Sequence, residues 1–214
     1  LPLDFAARLT ESLEDSLRAL GTDYVDLYQV HDPSADVYTD EVLRALERFR
    51  ASGKVRALGA STYGLEAPRR VIATGAFQVL QVAYNLVEQQ ADEVIESAAR
   101  AGMGVLVRSV LMKGILTDKR RLLPPPLAPL VRHVERFEPF LQGRTLPELA
   151  LRFALSNPHV ATALIGFDAE RLIEETLATA AVPLAGETAA TLRSLRYPDP
   201  AFIDMGAWTR AGWL

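Results

Sequence analysis

The stretch YVDLYQVHDP, residues 24–33, decides the fold. Its Tyr, Val and Leu residues suit a strand. The run is too short for a free-standing helix, and Pro33 stops it. It is expected to form a short buried strand ending in two titratable groups, His31 and Asp32, and a turn. Such a strand delivers an imidazole to the C-terminal rim of a sheet, where ligands bind in α/β proteins. The competing reading is a histidine that only hydrogen-bonds inside a core.

Working outward, Leu9, Leu13, Leu17 and Leu20 recur at helical spacing with Gly21 as the stop, so a helix starting near Asp4 or Thr10 precedes the strand. After it, Val42, Leu43, Leu46 and Phe49 share one face of a helix over 40–52 that Gly53 closes. A strand over 55–62, a helix over 65–74 and a strand over 78–84 follow, then a helix over 92–101 and a strand over 105–109. The strand ends at His31, Ser61, Tyr84 and Ser109 recur every 23 to 30 residues, a spacing that suits successive βα units. Parallel strands need such crossovers, so the alternation predicts a parallel sheet.

The rhythm breaks at 111–144, a long insertion with Pro124-Pro125-Pro126 and a helix expected near 127–141. Long loops after sheet strands are often functional, so this one is either a clamp on cofactor or substrate or a packing insertion. Thr145 and Glu148 then form a capping box. A fifth strand is expected over 161–165, a helix over 169–180 capped by Asp168, a last helix near 187–195, and a C-terminal tail over 197–214. Five parallel strands leave two architectures, an open doubly wound sheet or a (β/α) barrel, which periodicity does not separate.

Composition narrows the function. The length of 214 residues suits a single domain over 1–214. A net charge of −4 and a pI near 5.5 provide no basic surface for nucleic acid. Without cysteine there are no disulfides or thiolate metal sites, which suits a cytoplasmic protein. No apolar run approaches the roughly 20 residues of a membrane helix, and no signal peptide is visible.

The groups expected at one rim are His31, Asp32, Ser61, Thr62, Gln81, Tyr84, Asn85, Arg108, Ser109, Gly166 and Phe167. A hydrolytic metal site needs about three protein ligands. Here the other histidines are His133 in the insertion helix and His159 after Asn157-Pro158, so no metal site is expected. A serine triad is disfavoured by the absence of a G-x-S-x-G elbow. What remains is an amide- and hydroxyl-lined rim with one histidine and one arginine. Ser61, Thr62 and Gln81 suit a carboxamide, and Gly166 with the following helix N-terminus suits a phosphate. Each residue also has a plain alternative: Ser61 and Ser109 finish strands, Gln81 bonds backbone, Gly166 permits a tight turn and Asp168 caps a helix.

Together these segments resemble the aldo-keto reductase family. SLEDSLRALGTDYVDLYQVH (12–31) resembles the family's helix and fourth barrel strand, which ends in the active-site histidine. GKVRALGAST (53–62) resembles the fifth strand, whose Ser-Asn pair holds the nicotinamide carboxamide, with Thr62 in place of the Asn. QVLQVAYN (78–85) resembles the sixth, with Gln81 at the carboxamide-binding glutamine. VLVRSVLMKGILTDK (105–119) resembles the seventh strand and its loop, with Arg108 where many members carry an aromatic that stacks on nicotinamide. ALIGFDAERLIEETLA (163–178) resembles the eighth strand and the helix facing the adenosine phosphate.

The resemblance implies an incomplete (β/α)8 TIM barrel lacking the first three βα units, whose open sheet edges invite self-association. It implies an NADP- or NAD-dependent oxidoreductase acting on a small carbonyl or alcohol. His31 would be catalytic. Ser61, Thr62, Gln81, Arg108, Ser109, Leu111, Gly114, Gly166, Phe167, Asp168, Arg171 and Glu175 would bind cofactor. Leu172 and Thr176 stand where members often place polar residues toward the adenosine end, which leaves NAD against NADP open. The family's catalytic Asp, Tyr and Lys have no counterpart here. The chain, which begins at Leu1, is therefore expected to be a C-terminal part with little or no turnover alone. The alternatives are a non-catalytic nucleotide-binding or regulatory subunit, and a chain that folds only with complementary strands from another molecule.

Overall fold

The computed structural model describes residues 5–31, 37–167 and 169–213. Helices and strands alternate as expected: α1 (Phe5–Leu20), β1 (Val25–His31), α2 (Asp40–Ala51), β2 (Val55–Ser61), α3 (Glu66–Thr74), β3 (Val79–Ala83), α4 (Asp92–Arg100) and β4 (Gly104–Arg108). Then come α5 (Ala128–Val134), α6 (Leu146–Leu155), β5 (Thr162–Ala163), α7 (Arg171–Ala180), α8 (Gly186–Ser194) and α9 (Met205–Arg210). The strands form a five-stranded sheet in sequence order, β1-β2-β3-β4-β5, and the pairs β1–β2, β2–β3 and β4–β5 are parallel. The chain divides into two compact units, Leu1–Val82 with Glu93–Val105, and Ala83–Asp92 with Leu106–Leu214.

In the first unit the helices bury the faces that their spacing dictates. Leu9, Leu13 and Leu17 of α1 are buried, as are Val42, Ala45, Leu46 and Phe49 of α2. The Tyr28 hydroxyl donates to the Leu9 carbonyl at 3.2 Å, and its ring meets Phe49 edge-on at 5.9 Å. Thr39 caps α2 by accepting from the Val42 N–H. Gly75 closes α3 at φ 65°, a left-handed conformation in which a side chain costs energy.

The register sets the first unit's rim. His31 pairs with Ser61, and Ser61 with Gln81, so the three lie level across the strand ends. One pleat lower, Gln29 pairs with Gly59, and Gly59 with Val79. Successive side chains alternate between faces, so both rows share one face.

In the second unit the capping box on α6 is complete: Glu148 accepts from the Thr145 N–H at 2.7 Å while Thr145 accepts from the Glu148 N–H at 3.4 Å. The helix expected near 127–141 is α5 followed by a 3-10 stretch, Glu135–Phe140, which contains Pro139. Proline removes an N–H from the helical ladder. The strand expected over 161–165 shrinks to β5, although the Leu164 N–H still donates to the Val107 carbonyl at 2.8 Å. The helix expected over 169–180 starts at Arg171, with Glu170 at the cap position and no side-chain cap bond. Asp168, read as its cap, lies outside the described residues, as do Asp4, Asp32 and Pro33. Within 197–214, α9 was not anticipated. It buries Trp208 to 1% exposure, and the indole N–H donates to the Phe202 carbonyl at 2.6 Å. Among the described residues no helix is long and apolar enough to cross a membrane.

Candidate active site

The first unit's rim is a chain of amides and hydroxyls. Gln81 donates through Nε2 to the Ser61 hydroxyl oxygen at 2.8 Å, and its Oε1 accepts from Gln29 Nε2 at 3.2 Å. The Thr62 N–H and hydroxyl both donate to the Gln81 carbonyl, at 2.9 and 3.3 Å. Ser61, Thr62 and Gln81 are 2%, 1% and 8% exposed. Polar groups this buried are costly unless bonded, and here they bond to one another. His31 is exposed at the end of β1, with the Tyr63 ring edge-on at 6.2 Å. The sequence-predicted His31, Ser61, Thr62 and Gln81 are thus brought together.

Gln29 escaped the sequence reading. The signal was present, because a residue two before His31 faces the same side of a strand. Gly59 gives it room: a Cβ there would sit 2.9 Å from the Gln29 Cγ. The Gln29 Oε1 is buried without a hydrogen-bond partner.

In the second unit the polar groups after β3 and β4 are held by backbone and by one side-chain pair. Asn85 donates through Nδ2 to the Ser109 carbonyl at 3.0 Å, and its Oδ1 accepts from the Val87 and Glu88 N–H groups. Arg108 donates through Nη1 to the Ser109 hydroxyl at 3.2 Å. Ser109, Met112 and Lys113 all have φ between 47° and 58°. Such backbone strain concentrates at ligand clamps and active sites. Gly114, at φ 92°, sits in the turn that the Thr117 hydroxyl closes by donating to its carbonyl. Glu88, which the sequence reading also missed, is an acid in this neighbourhood. Burial pushes its carboxyl up to about 7 against the pull of Arg108, and Asp204 adds to the rise. No spacing rule marks it, because a single glutamate three residues past a Tyr-Asn pair has no periodicity.

A cleft of about 790 Å³ lies in the same unit, lined among others by Leu111, Arg144, Arg171, Leu172, Glu175 and Thr176. Arg171 and Glu175 pair at 3.3 Å on the exposed face of α7. Leu111, Arg171 and Glu175 therefore line one cleft. Gly166 and Phe167 are exposed after β5 and do not line this cleft. Among the described residues no group of three or more histidine or acidic side chains is arranged to hold a metal.

Comparison with known proteins places the whole chain. The chain is 30% identical to the aldo-keto reductase YhdN of Bacillus subtilis over 75% of its own length and 54% of that protein's. It is 24% identical to the NADH-specific methylglyoxal reductase of Escherichia coli, over 87% of this chain and 64% of the relative. The chain thus spans between half and two thirds of the length of these curated relatives. Its fold matches the holo form of the aldo-keto reductase AKR11C1 from Bacillus halodurans with a TM-score of 0.81 and 27% identity, covering 91% of this chain and 66% of that one. With the Aldo/keto reductase family model matched over residues 5–196, the chain belongs to the aldo/keto reductase family.

Proposed function

We propose that this chain carries the nicotinamide-dinucleotide site of an NADP- or NAD-dependent oxidoreductase that interconverts small carbonyl compounds and alcohols. The observation that carries this reading is the level row His31–Ser61–Gln81. It sets a proton-handling imidazole beside a buried hydroxyl and amide that have bonding capacity left for a ligand. Ser61, Thr62 and Gln81 fit a carboxamide. Arg108 and Ser109 would flank the ring, Leu111 and Gly114 would follow the bridge, and Gly166, Phe167, Asp168, Arg171 and Glu175 would take the adenosine phosphate end. The N–H groups at the start of α7, without a side-chain cap bond, suit an anion.

When bound, the dinucleotide supplies or accepts the hydride. His31 donates a hydrogen bond to the carbonyl oxygen of the substrate, fixing the carbon for attack and stabilising negative charge on oxygen. Of the family's proton-transfer set, only His31 is among these residues. A positioned proton donor typically contributes about 10²–10⁴-fold, so the chain by itself is expected to bind dinucleotide with little turnover, as part of a (β/α)8 barrel. Self-association through open sheet edges belongs to the same reading, and sedimentation tests it.

Titration of the full chain with NADPH and with NADH, alongside a steady-state assay with a reactive aldehyde, tests the proposal. Binding with negligible turnover is expected. Robust turnover lost in His31→Ala would overturn the low-activity claim, and absence of any dinucleotide binding would overturn the site. A chain that binds dinucleotide yet yields no turnover when βα units carrying the family's Asp, Tyr and Lys are added would be a non-catalytic nucleotide-binding subunit.

A further inference from the structure

We infer that Asn85 is a positioning residue: its side chain, bonded to backbone at both ends, holds Ser109 in a left-handed conformation and so sets the course of the loop proposed to follow the dinucleotide bridge; this rests on the proposed dinucleotide site. Asn85 is fully buried. Its Oδ1 accepts from the Val87 and Glu88 N–H groups at 3.0 and 2.9 Å, and its Nδ2 donates to the Ser109 carbonyl at 3.0 Å. A backbone N–H only donates and a carbonyl only accepts, so the sense of this amide is fixed at both ends. Turned end for end, it would set its NH2 against two N–H groups and its oxygen against a carbonyl.

The consequence falls on Ser109. The Tyr84 N–H donates to the Arg108 carbonyl at 3.2 Å, and the next residue, Asn85, reaches the next carbonyl, that of Ser109. Successive carbonyls of an extended strand point to opposite edges. Two in a row turned toward the end of β3 require a break in the strand between them, and that break is Ser109, at φ 58°. A non-glycine residue there is strained and persists only where its surroundings over-determine it. The Ser109 carbonyl also accepts from the Met112 N–H at 2.9 Å, so the same peptide opens the turns that lead through Leu111 to Gly114. Val110, Met112, Ile115 and Leu116 are buried, which anchors the loop when the Asn85 bond is lost. Buried as it is, Asn85 offers a ligand no surface, and acts through Ser109.

Asn85→Asp separates the two ends. Its carboxyl still accepts from Val87 and Glu88. Protonated, it also donates to the Ser109 carbonyl as the amide does; ionised, it only accepts and opposes that carbonyl. Asn85→Ala removes both ends.

The test is titration of the full-length wild-type chain and the two variants with NADP+ and NAD+ from pH 5 to pH 8.5, beside thermal melting and hydrogen exchange of residues 109–116 without ligand. Asn85→Ala is expected to bind dinucleotide about five- to tenfold more weakly than wild type at every pH, the worth of one hydrogen bond, and to exchange faster over 109–116. Asn85→Asp is expected to lie within about twofold of wild type at pH 5 and to fall about five- to tenfold below it at pH 8.5. His31 and Glu88, with Arg108 and Asp204 facing the latter, are common to wild type and Asn85→Ala, so a pH-dependent loss confined to Asn85→Asp belongs to position 85. Wild-type affinity in Asn85→Ala would overturn the role of Asn85, whatever its effect on melting. Weakened binding with unchanged exchange over 109–116 would overturn it too, because the effect would not pass through Ser109. If Asn85→Ala fails to fold by thermal melting, Asn85→Asp decides, and wild-type affinity there at pH 8.5 is a refutation. A wild type that binds neither dinucleotide would overturn the site, and the role of Asn85 with it.

Discussion

The rims of the two units handle buried polarity in opposite ways. In the first, Gln29, Gln81, Ser61 and Thr62 are partnered largely by one another and by strand backbone, on regular strands in exact register. In the second, Asn85 is held by loop backbone and the Ser109 hydroxyl by the Arg108 side chain, and Ser109, Met112 and Lys113 adopt positive φ. Each rim has one buried oxygen without a hydrogen-bond partner, Gln29 Oε1 in the first and Glu88 Oε2 in the second. One rim is set by strand register. The other is shaped by loops and carries backbone strain and a buried acid.

The contrast concerns the rims and not the cores. Phe153 is fully buried and stacks on Tyr84 at 5.5 Å in the second unit, and Leu46 is fully buried in the first. Phe153→Ala is expected to cost about 3–5 kcal/mol and Leu46→Ala about 2–5 kcal/mol in urea denaturation. A cost under about 1 kcal/mol for either would show that its unit lacks a packed core.

Glu88 sharpens the comparison next. Its folded-state carboxyl titrates near 7, above the ordinary 4.5. The folded protein therefore binds an extra proton between these values, and stability falls as pH rises through that window. At about 1.4 kcal/mol per unit, the loss approaches roughly 2–3 kcal/mol by pH 8. Glu88→Gln is expected to remove this decline in denaturation curves at pH 5 and pH 8. An unchanged pH dependence would show that Glu88 is solvated or paired.

Gly59 probes the ordered rim. Gly59→Ala is expected to destabilise by about 1–3 kcal/mol through overpacking against Gln29 and Leu27, and to disturb the Gln29–Gln81 bond. A neutral effect on melting would mean that the row under the rim is loose. The smallest effect belongs to an ordinary helix start: Thr145→Ala, which breaks the α6 capping box, is expected to cost about 1 kcal/mol in the same assay. A much larger value would mean that the α6 start does more than cap.

Much of this was legible in the sequence for a physical reason: periodicity and stop signals are local. β1 and the helices around it follow from a run rich in Tyr, Val and Leu, from apolar residues at helical spacing, and from Gly21, Gly53 and Gly75. The level placement of His31, Ser61 and Gln81 required the register, which the spacing of βα units only suggests. The shortness of β5 and the late start of α7 were not legible, because a strand with one neighbour is limited by that neighbour. Residues 205–210 read as tail, since the burial of Trp208 is a tertiary contact. Gln29 carries no mark of its own in the sequence, and its bond to Gln81 appears only once the strand register is known.

The most direct measurement is dinucleotide affinity of the full chain against that of Gln81→Leu, with ADP-ribose as the reference. Wild-type binding, a loss of roughly tenfold or more in the variant and unchanged ADP-ribose affinity are the results expected if the β1–β3 rim reads the nicotinamide carboxamide. Equal dinucleotide affinity of wild type and Gln81→Leu would contradict it.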